Sequence, residues 1–129
     1  MKQILVGARA EDWIGEQIGR PICQPCVVLG LEVDGEMAGA VGFNNWTGAN
    51  VFVTVAGSPK AWTRIFLNRL ARYAFGELGC ERVTMTTEHE HVAALCRRLG
   101  GQQEGTMRSA FGPGRDGLIF GILRDEWRI

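Results

Sequence analysis

The sequence predicts an α/β fold (an α+β mixed sheet) with helices on both faces of the sheet. Its N-terminal part alternates apolar and polar residues with a period of two, which is typical of strands. Its middle changes to helical spacing, and this helical stretch is flanked by β-branched segments at 51–56 and 82–87. Strands joined by a tight turn run antiparallel, whereas two strands joined by a long helix run parallel. We therefore expect antiparallel N-terminal strands and a parallel central βαβ pair.

The N-terminal elements follow from local signals. Residues 9–19 predict a short helix that ends at Gly19, before Pro21. Residues 27–33 and 37–43 predict two strands, and Asp34-Gly35 between them is typical of a hairpin turn. Residues 51–56 predict the third strand.

The remaining elements carry capping and turn signals. Ser58 and Pro59 favour the start of a long helix that Gly79 ends, and a strand follows at 82–87. A second helix has Val92, Leu95, Cys96 and Leu99 on one face and ends at Gly100-Gly101. Two strands, roughly 104–111 and 117–124, complete the chain around a turn at 112–114.

Composition narrows the function classes. The 129 residues suffice for one domain, 1–129, and 46% of them are hydrophobic. Fourteen basic and fourteen acidic side chains cancel, which argues against nucleic acid or an acidic membrane as the partner. No apolar run is long enough to span a membrane, and residues 1–6 are too short for a signal peptide. Four cysteines do not make a disulfide scaffold, so we expect a cytoplasmic protein.

The turn at 57–64 is a candidate phosphate site. A helix that follows a strand presents free backbone N–H groups and the positive end of its dipole. The turn holds Lys60 and Arg64 and small residues at Gly57, Ser58 and Ala61. Most turns of this kind bind nothing, so the turn alone leaves a plain structural role open.

Short motifs follow one another from residue 73 to the end of the chain. They are Tyr73-Ala74-Phe75, Leu78-Gly79, Arg82-Val83, Leu99-Gly100-Gly101, Glu104-Gly105, Arg108, Asp116 and Glu126-Trp127. With these spacings, residues 50–128 resemble the GNAT superfamily of acyl-CoA-dependent N-acyltransferases. The resemblance is greatest to the ribosomal-protein N-terminal acetyltransferase branch and its small prophage-borne relatives. Residues 1–49 resemble it only in outline.

The resemblance implies transfer of an acetyl group from acetyl-CoA to a primary amine, without a metal. The amine would be a protein N-terminus, a lysine or a small metabolite. The residues implied in cofactor binding are the backbone of Val53, Thr54 and Val55, the phosphate turn Ser58, Lys60, Ala61, Trp62, Thr63 and Arg64, and His89 toward the pantetheine. His89 is equally interpreted as a surface residue at a helix start.

Fewer residues are candidates for a catalytic role than for cofactor binding. Cys96 occupies the position of the family's general acid, a tyrosine, but it also lies on the apolar stripe of its helix, which favours a buried core cysteine. Asn44 and Asn45 end a strand, and we expect Asn45 to orient the acceptor. Glu32, Glu36 and Asp116 are candidate general bases by residue type only.

Three alternatives to catalysis of acetyl transfer differ in how well the sequence supports them. Ser58, Ala61, His89, Cys96 and Gly101 depart from the family pattern, which is what a non-catalytic acyl-CoA-binding or interaction module of this fold would show. Modification of a nucleic-acid base on the same scaffold is disfavoured by the neutral charge. The Cys23-x-x-Cys26 pair lacks the partners that a structural zinc needs and precedes a strand, unlike a redox pair.

The N-terminal part is short for this branch. We therefore expect either an open acceptor cleft or a cleft that a second copy of the chain completes in a homodimer.

Overall fold

The computed structural model describes all of residues 1–129 and contains seven strands. They are β1 (Lys2–Val6), β2 (Cys26–Val33), β3 (Glu36–Asn44), β4 (Asn50–Gly57), β5 (Arg82–Thr87), β6 (Gln102–Met107) and β7 (Gly117–Leu123). The strands form one sheet in the order β1-β2-β3-β4-β5-β7-β6. All neighbours are antiparallel except β4 and β5, which are parallel. This arrangement confirms the predicted mixed sheet.

Helices cover both faces of the sheet, as predicted. They are α1 (Ala8–Ile18), α2 (Arg64–Ala71), which a π-helical segment extends over Arg72–Glu77, and α3 (Glu90–Arg98). On one face, Ala10 and Ile14 of α1 pack against Val28 and Ala40 of the sheet. On the other face, α2 and α3 enclose the larger part of the core. No helix combines the length and the apolar character needed to cross a membrane.

The alternation of side chains along β4 decides which face each residue reaches. Val51 and Val53 pack in the core beneath α2, whereas Ala56 packs against the cluster around α1. Phe52 and Thr54 therefore point to the α1 face. This face also carries the candidate site described below.

The start of the long helix differs from the prediction. A 3₁₀ turn spans Pro59–Ala61, the chain then extends through Thr63, and α2 begins only at Arg64. Thr63 is the N-cap, because its hydroxyl accepts a hydrogen bond from the Phe66 N–H at 3.2 Å. Packing before the helix explains the break, since Ala61 is fully buried with its methyl group against Gly39 of β3.

The two ends of the sheet also differ from the prediction. The sequence pattern does not predict strand β1, because its short sequence has no clear alternation, yet it pairs with β2 at the edge. The strand predicted at 104–111 lies at Gln102–Met107 instead. Residues 108–116 form a loop in which Ser109 adopts φ +57° and donates its N–H to an Asp116 carboxylate oxygen at 2.8 Å.

Candidate active site

Strands β4 and β5 separate part-way along their length. They pair only as far as Val53 and Met85. Beyond this point β4 runs on to Gly57 while pairing only with β3, and β5 runs on to Thr87 while pairing only with β7. The strand edges that face the gap therefore have no strand partner, and an extended ligand can pair with such an edge as an added strand.

A cleft of about 1320 Å³ opens along this gap. Val53, Thr54 and Val55, which the GNAT resemblance assigns to the pantetheine arm, line it together with Thr86 and Thr87 of β5. One wall is the loop between α1 and β2, and the other is the loop between β6 and β7. The cleft is thus formed by segments that are far apart in the sequence.

The α1–β2 loop brings two cysteines to the cleft. Cys23 and Cys26 both line it, and both are free thiols. The Asn44 side-chain amide donates to the Cys23 carbonyl at 3.2 Å and so ties this loop to the end of β3. Asn45, the predicted acceptor-orienting residue, is exposed, lines the cleft and has φ +52°.

Residues 58–64 turn the chain from β4 into α2. The N–H groups of Ser58, Ala61, Trp62 and Thr63 donate to protein carbonyls, at 3.0, 3.0, 3.3 and 2.9 Å. The Ala61 amide is therefore committed within the turn, contrary to the expectation that it faces a ligand. Trp62 also has a packing role, since its ring stacks on Phe66 at 6.1 Å.

Other amides of the turn are free. The N–H groups of Lys60, Arg64 and Ile65 have no acceptor within the protein. The residues Lys60 and Arg64 are exposed, so two cationic side chains accompany these amides. The turn therefore combines free donors, positive charge and the N-terminus of α2, a combination that suits a phosphate group.

The β6–β7 loop is fastened to the site by an ion pair. The Arg115 guanidinium donates to both carboxylate oxygens of Glu88, one of them at 2.9 Å. This contact holds the pKa of the Glu88 carboxyl below its usual range. Glu88 is also the only Asp or Glu that lines the cleft. Because it is paired, it is an acceptor of hydrogen bonds rather than a free base.

Two imidazoles stand at the start of α3. His89 is the N-cap residue and His91 lies in the first turn, and their rings stack at 5.5 Å. Both line the cleft. Nothing in the sequence pattern singled out His91, because its approach to the gap depends on how α3 packs beside β5.

The remaining predicted groups lie elsewhere. Glu32 pairs with Arg9, Asp116 accepts from the Ser109 N–H, and Glu36 lies at the β2–β3 turn. None of the three lines the cleft. The sequence could name them only by residue type, and their positions do not suit a general base in this cleft.

Cys96 is placed in the core. It is 1% exposed, its thiol contacts the Met85 sulfur at 3.8 Å, and it does not line the cleft. Burial raises the pKa of this thiol to about 12. This position agrees with the interpretation of Cys96 as a core cysteine and argues against its role as an acid.

Tyr73, the only tyrosine of the chain, reaches the cleft from the π-helical segment. Its ring packs edge-on against Phe43 at 4.9 Å, and Phe43 is the β3 partner of Val53. Tyr73 therefore lies one side chain away from the point where β4 and β5 part. Partial burial raises the pKa of its hydroxyl, which keeps the group protonated at neutral pH.

The sequence matches no protein-family model and no curated protein, whereas the structure has many similar solved structures. A mutant of the spermidine N-acetyltransferase SpeG from Vibrio cholerae superposes with a TM-score of 0.73 at 14% identity, covering 96% of this chain and 94% of that one. A candidate acetyltransferase from T. thermophilus superposes with a TM-score of 0.66 at 22% identity and covers 81% of this chain. This chain spans only 62% of that protein. The fold is that of the GNAT acetyltransferases.

Proposed function

We propose that this chain transfers an acetyl group from acetyl-CoA to a primary amine. The observation that carries the proposal is the separation of β4 and β5 beyond Val53 and Met85, beside a turn with free amides. The gap offers an unpaired strand edge to an extended arm, and the turn offers donors to a diphosphate. The acetyltransferase neighbours of the same fold support the reaction class.

The residues present fit the cofactor at two places. The amides of Lys60, Arg64 and Ile65, with the Lys60 and Arg64 side chains, would hold the diphosphate. The edge of β4 from Thr54 onward would pair with the pantetheine arm. Bound acetyl-CoA supplies an activated acyl group, a thioester whose carbonyl carbon is open to attack.

The reaction forms a C–N bond and breaks the thioester C–S bond. The His89–His91 pair takes the proton that the acceptor ammonium must lose, directly or through one water. A backbone N–H of the free β4 edge stabilises the negative charge that develops on the carbonyl oxygen. Tyr73 gives its proton to the departing sulfur and recovers one from solvent. One cleft holds both substrates, and proximity supplies much of the acceleration.

The resemblance of residues 50–128 to the ribosomal-protein branch supports a protein N-terminus among the acceptors. The second candidate is an acyl-CoA-binding module without turnover. The departures at Ser58, Ala61 and Cys96 favour it, since the structure commits the Ala61 amide and buries Cys96.

Thermal unfolding with acetyl-CoA and with free CoA tests cofactor binding. A ligand at a hundred times its Kd stabilises the folded state by about 2.7 kcal/mol, so both should raise the melting temperature. Replacing Lys60 and Arg64 with alanine should weaken binding roughly tenfold through loss of charge-assisted contacts. Arg72→Ala, an exposed cation outside the turn, is the matched control. Absence of any shift with either ligand would contradict the proposal.

Release of thiol in the presence of amines separates the enzyme from the binding module. Tyr73→Phe and His91→Ala should each lower kcat by about 10²-fold, the low end of the effect of a general acid or base. The KM for acetyl-CoA should change little, because neither side chain belongs to the turn. A protein that binds acetyl-CoA and never releases thiol is the binding module.

A further inference from the structure

Part of the cleft has an apolar floor, formed by Phe52 and Phe111. Phe52 stands in the middle of β4 and is nevertheless 37% exposed, on the α1 face and in the cleft. Phe111 approaches from the β6–β7 loop, where its ring packs over Gly117 beside Thr86. Thr86 and Thr84 share the face of Phe52, since Phe52 and Thr84 are partners across β4 and β5. The two aromatic rings therefore border the same part of the cleft.

An exposed phenylalanine in a central strand is a clue to a ligand. A large apolar side chain in a central strand is normally covered by a helix or by another part of the protein. Here the space above Phe52 is the cleft itself, between the two loops. Covering the ring with an apolar group removes apolar surface from water and is favourable.

The charges of the same cleft exclude a polycation. Its charged side chains are Arg20, Glu88 and Arg115, besides the two histidines. The single carboxylate, Glu88, is already held by Arg115. A substrate with a second or third ammonium group would find no free carboxylate and would face Arg20, so its extra charges would be buried without partners.

We propose, on the basis of the acetyl transfer proposed above, that the acceptor is a primary amine on an apolar or aromatic body with no second positive charge. Such an amine places its body on Phe52 and Phe111 and its nitrogen toward His89 and His91. Two sources share this chemistry: a free arylalkylamine, and a peptide whose first residue has an apolar side chain. The acceptor surface would thus differ from that of a polyamine enzyme on the same fold.

The test compares acceptors by acetyl-CoA-dependent thiol release. The panel contains 2-phenylethylamine, a peptide amide that begins with phenylalanine, and spermidine, the substrate in the name of the Vibrio cholerae neighbour. We expect kcat/KM for the better of the two aromatic amines to exceed that for spermidine by at least tenfold, about 1.4 kcal/mol. The ratio between the aromatic amines separates the two sources.

Variants of Phe52 test whether the preference for aromatic amines depends on the apolar floor. Phe52→Ala should lower kcat/KM for the preferred aromatic amine roughly tenfold, with Phe52→Leu largely retaining it, because an apolar side chain is what the contact requires. Leu123→Ala, at an exposed leucine that lies outside the cleft, should leave it unchanged. Circular dichroism and acetyl-CoA-dependent melting show that each variant is folded and binds the cofactor.

The outcomes are distinguishable. Turnover of spermidine equal to or faster than that of both aromatic amines overturns the acceptor assignment and leaves acetyl transfer intact. An unchanged aromatic preference in folded Phe52→Ala overturns the role of the floor. No turnover of any amine overturns both proposals together.

Discussion

The two halves of β4 have opposite surroundings although they belong to one strand. In the first half, Val51 is fully buried and lies opposite Val83 of β5, so the strand is an ordinary part of the core. In the second half, Thr54 to Gly57 pair only with β3, and Val55 borders the cleft. The comparison teaches that core packing and the unpaired backbone edge are separated along the strand. The first half needs apolar side chains, whereas the second offers mainly its backbone.

The largest effect is expected when a residue is replaced by aspartate in the first half of β4, and the same replacement in the second half tests the comparison. Val51→Asp places a charge in the core without a partner and should cost more than about 4 kcal/mol, enough to abolish the folded state. Thr54→Asp, three residues further on, should remain folded because its side chain reaches the cleft. Urea unfolding followed by circular dichroism measures both. Equal destabilisation would mean that the second half is packed as tightly as the first.

A second prediction concerns Cys96, whose thiol contacts Met85 at the point where β4 and β5 part. Cys96→Ala should lower the free energy of unfolding by about 1–2 kcal/mol through lost packing and leave kcat within about twofold. Urea unfolding and steady-state kinetics give the two numbers. If Cys96 were the general acid, the order would be reversed, with a large loss of kcat in a protein of normal stability.

The raised pKa of the Cys96 thiol makes the free energy of unfolding depend on pH. Its pKa rises from 9.0 to about 12 on folding, so the folded state holds the proton more tightly than the unfolded state. This contribution is complete below pH 9.0 and is lost as the pH rises toward about 12. Cys96→Ala should therefore show a flatter decline of stability in this range. A decline identical to that of the parent would contradict the burial of the thiol.

Local chemistry explains which elements the sequence could predict. Gly19 ends α1 with φ +78°, and Asp34-Gly35 has positive φ at both residues, as the hairpin turn requires. Strand β5 lies at 82–87, as predicted, because its β-branched run has clear ends. These features depend on neighbours in the chain. The start of α2 does not, since the packing of Ala61 against Gly39 decides it.

The sequence predicts only part of the candidate site, because the rest depends on tertiary packing. The assignment of Val53, Thr54 and Val55 to the site follows from the resemblance of residues 50–128 to the GNAT superfamily. His91, Tyr73 and the Glu88–Arg115 pair could not be predicted, because the cleft brings together α3, the π-helical segment and the β6–β7 loop. The spacing of residues along the sequence does not indicate which side chains of distant segments meet across a gap.

A third prediction sharpens the comparison at the N-cap of α2. Thr63→Ala removes the hydrogen bond to the Phe66 N–H and should cost about 1 kcal/mol. Thr63→Ser keeps the hydroxyl and should cost less than half as much. Chemical unfolding of the two variants gives the difference. Equal losses would indicate that the methyl group of Thr63, and not its hydroxyl, supports the helix start.

The smallest effect is expected at the ion pair that fastens the β6–β7 loop to Glu88, directly after β5. Arg115→Gln should raise the KM for the amine by about threefold and leave kcat nearly unchanged, because an exposed pair orients the loop without taking part in the chemistry. Added salt should reduce the difference between the parent and the variant, since screening weakens the pair in the parent alone.

Low pH should raise the KM for the amine in the parent protein, as Arg115→Gln does. The pKa of Glu88 is lowered in the folded protein, so the contribution of the pair is present above the usual carboxyl pKa and is lost as the pH falls through the lowered one. Glu88→Gln is the decisive companion. If it raises KM as Arg115→Gln does, Glu88 only positions the loop. If it lowers kcat with KM unchanged, Glu88 itself accepts the proton, and the histidines at the start of α3 lose the role proposed for them.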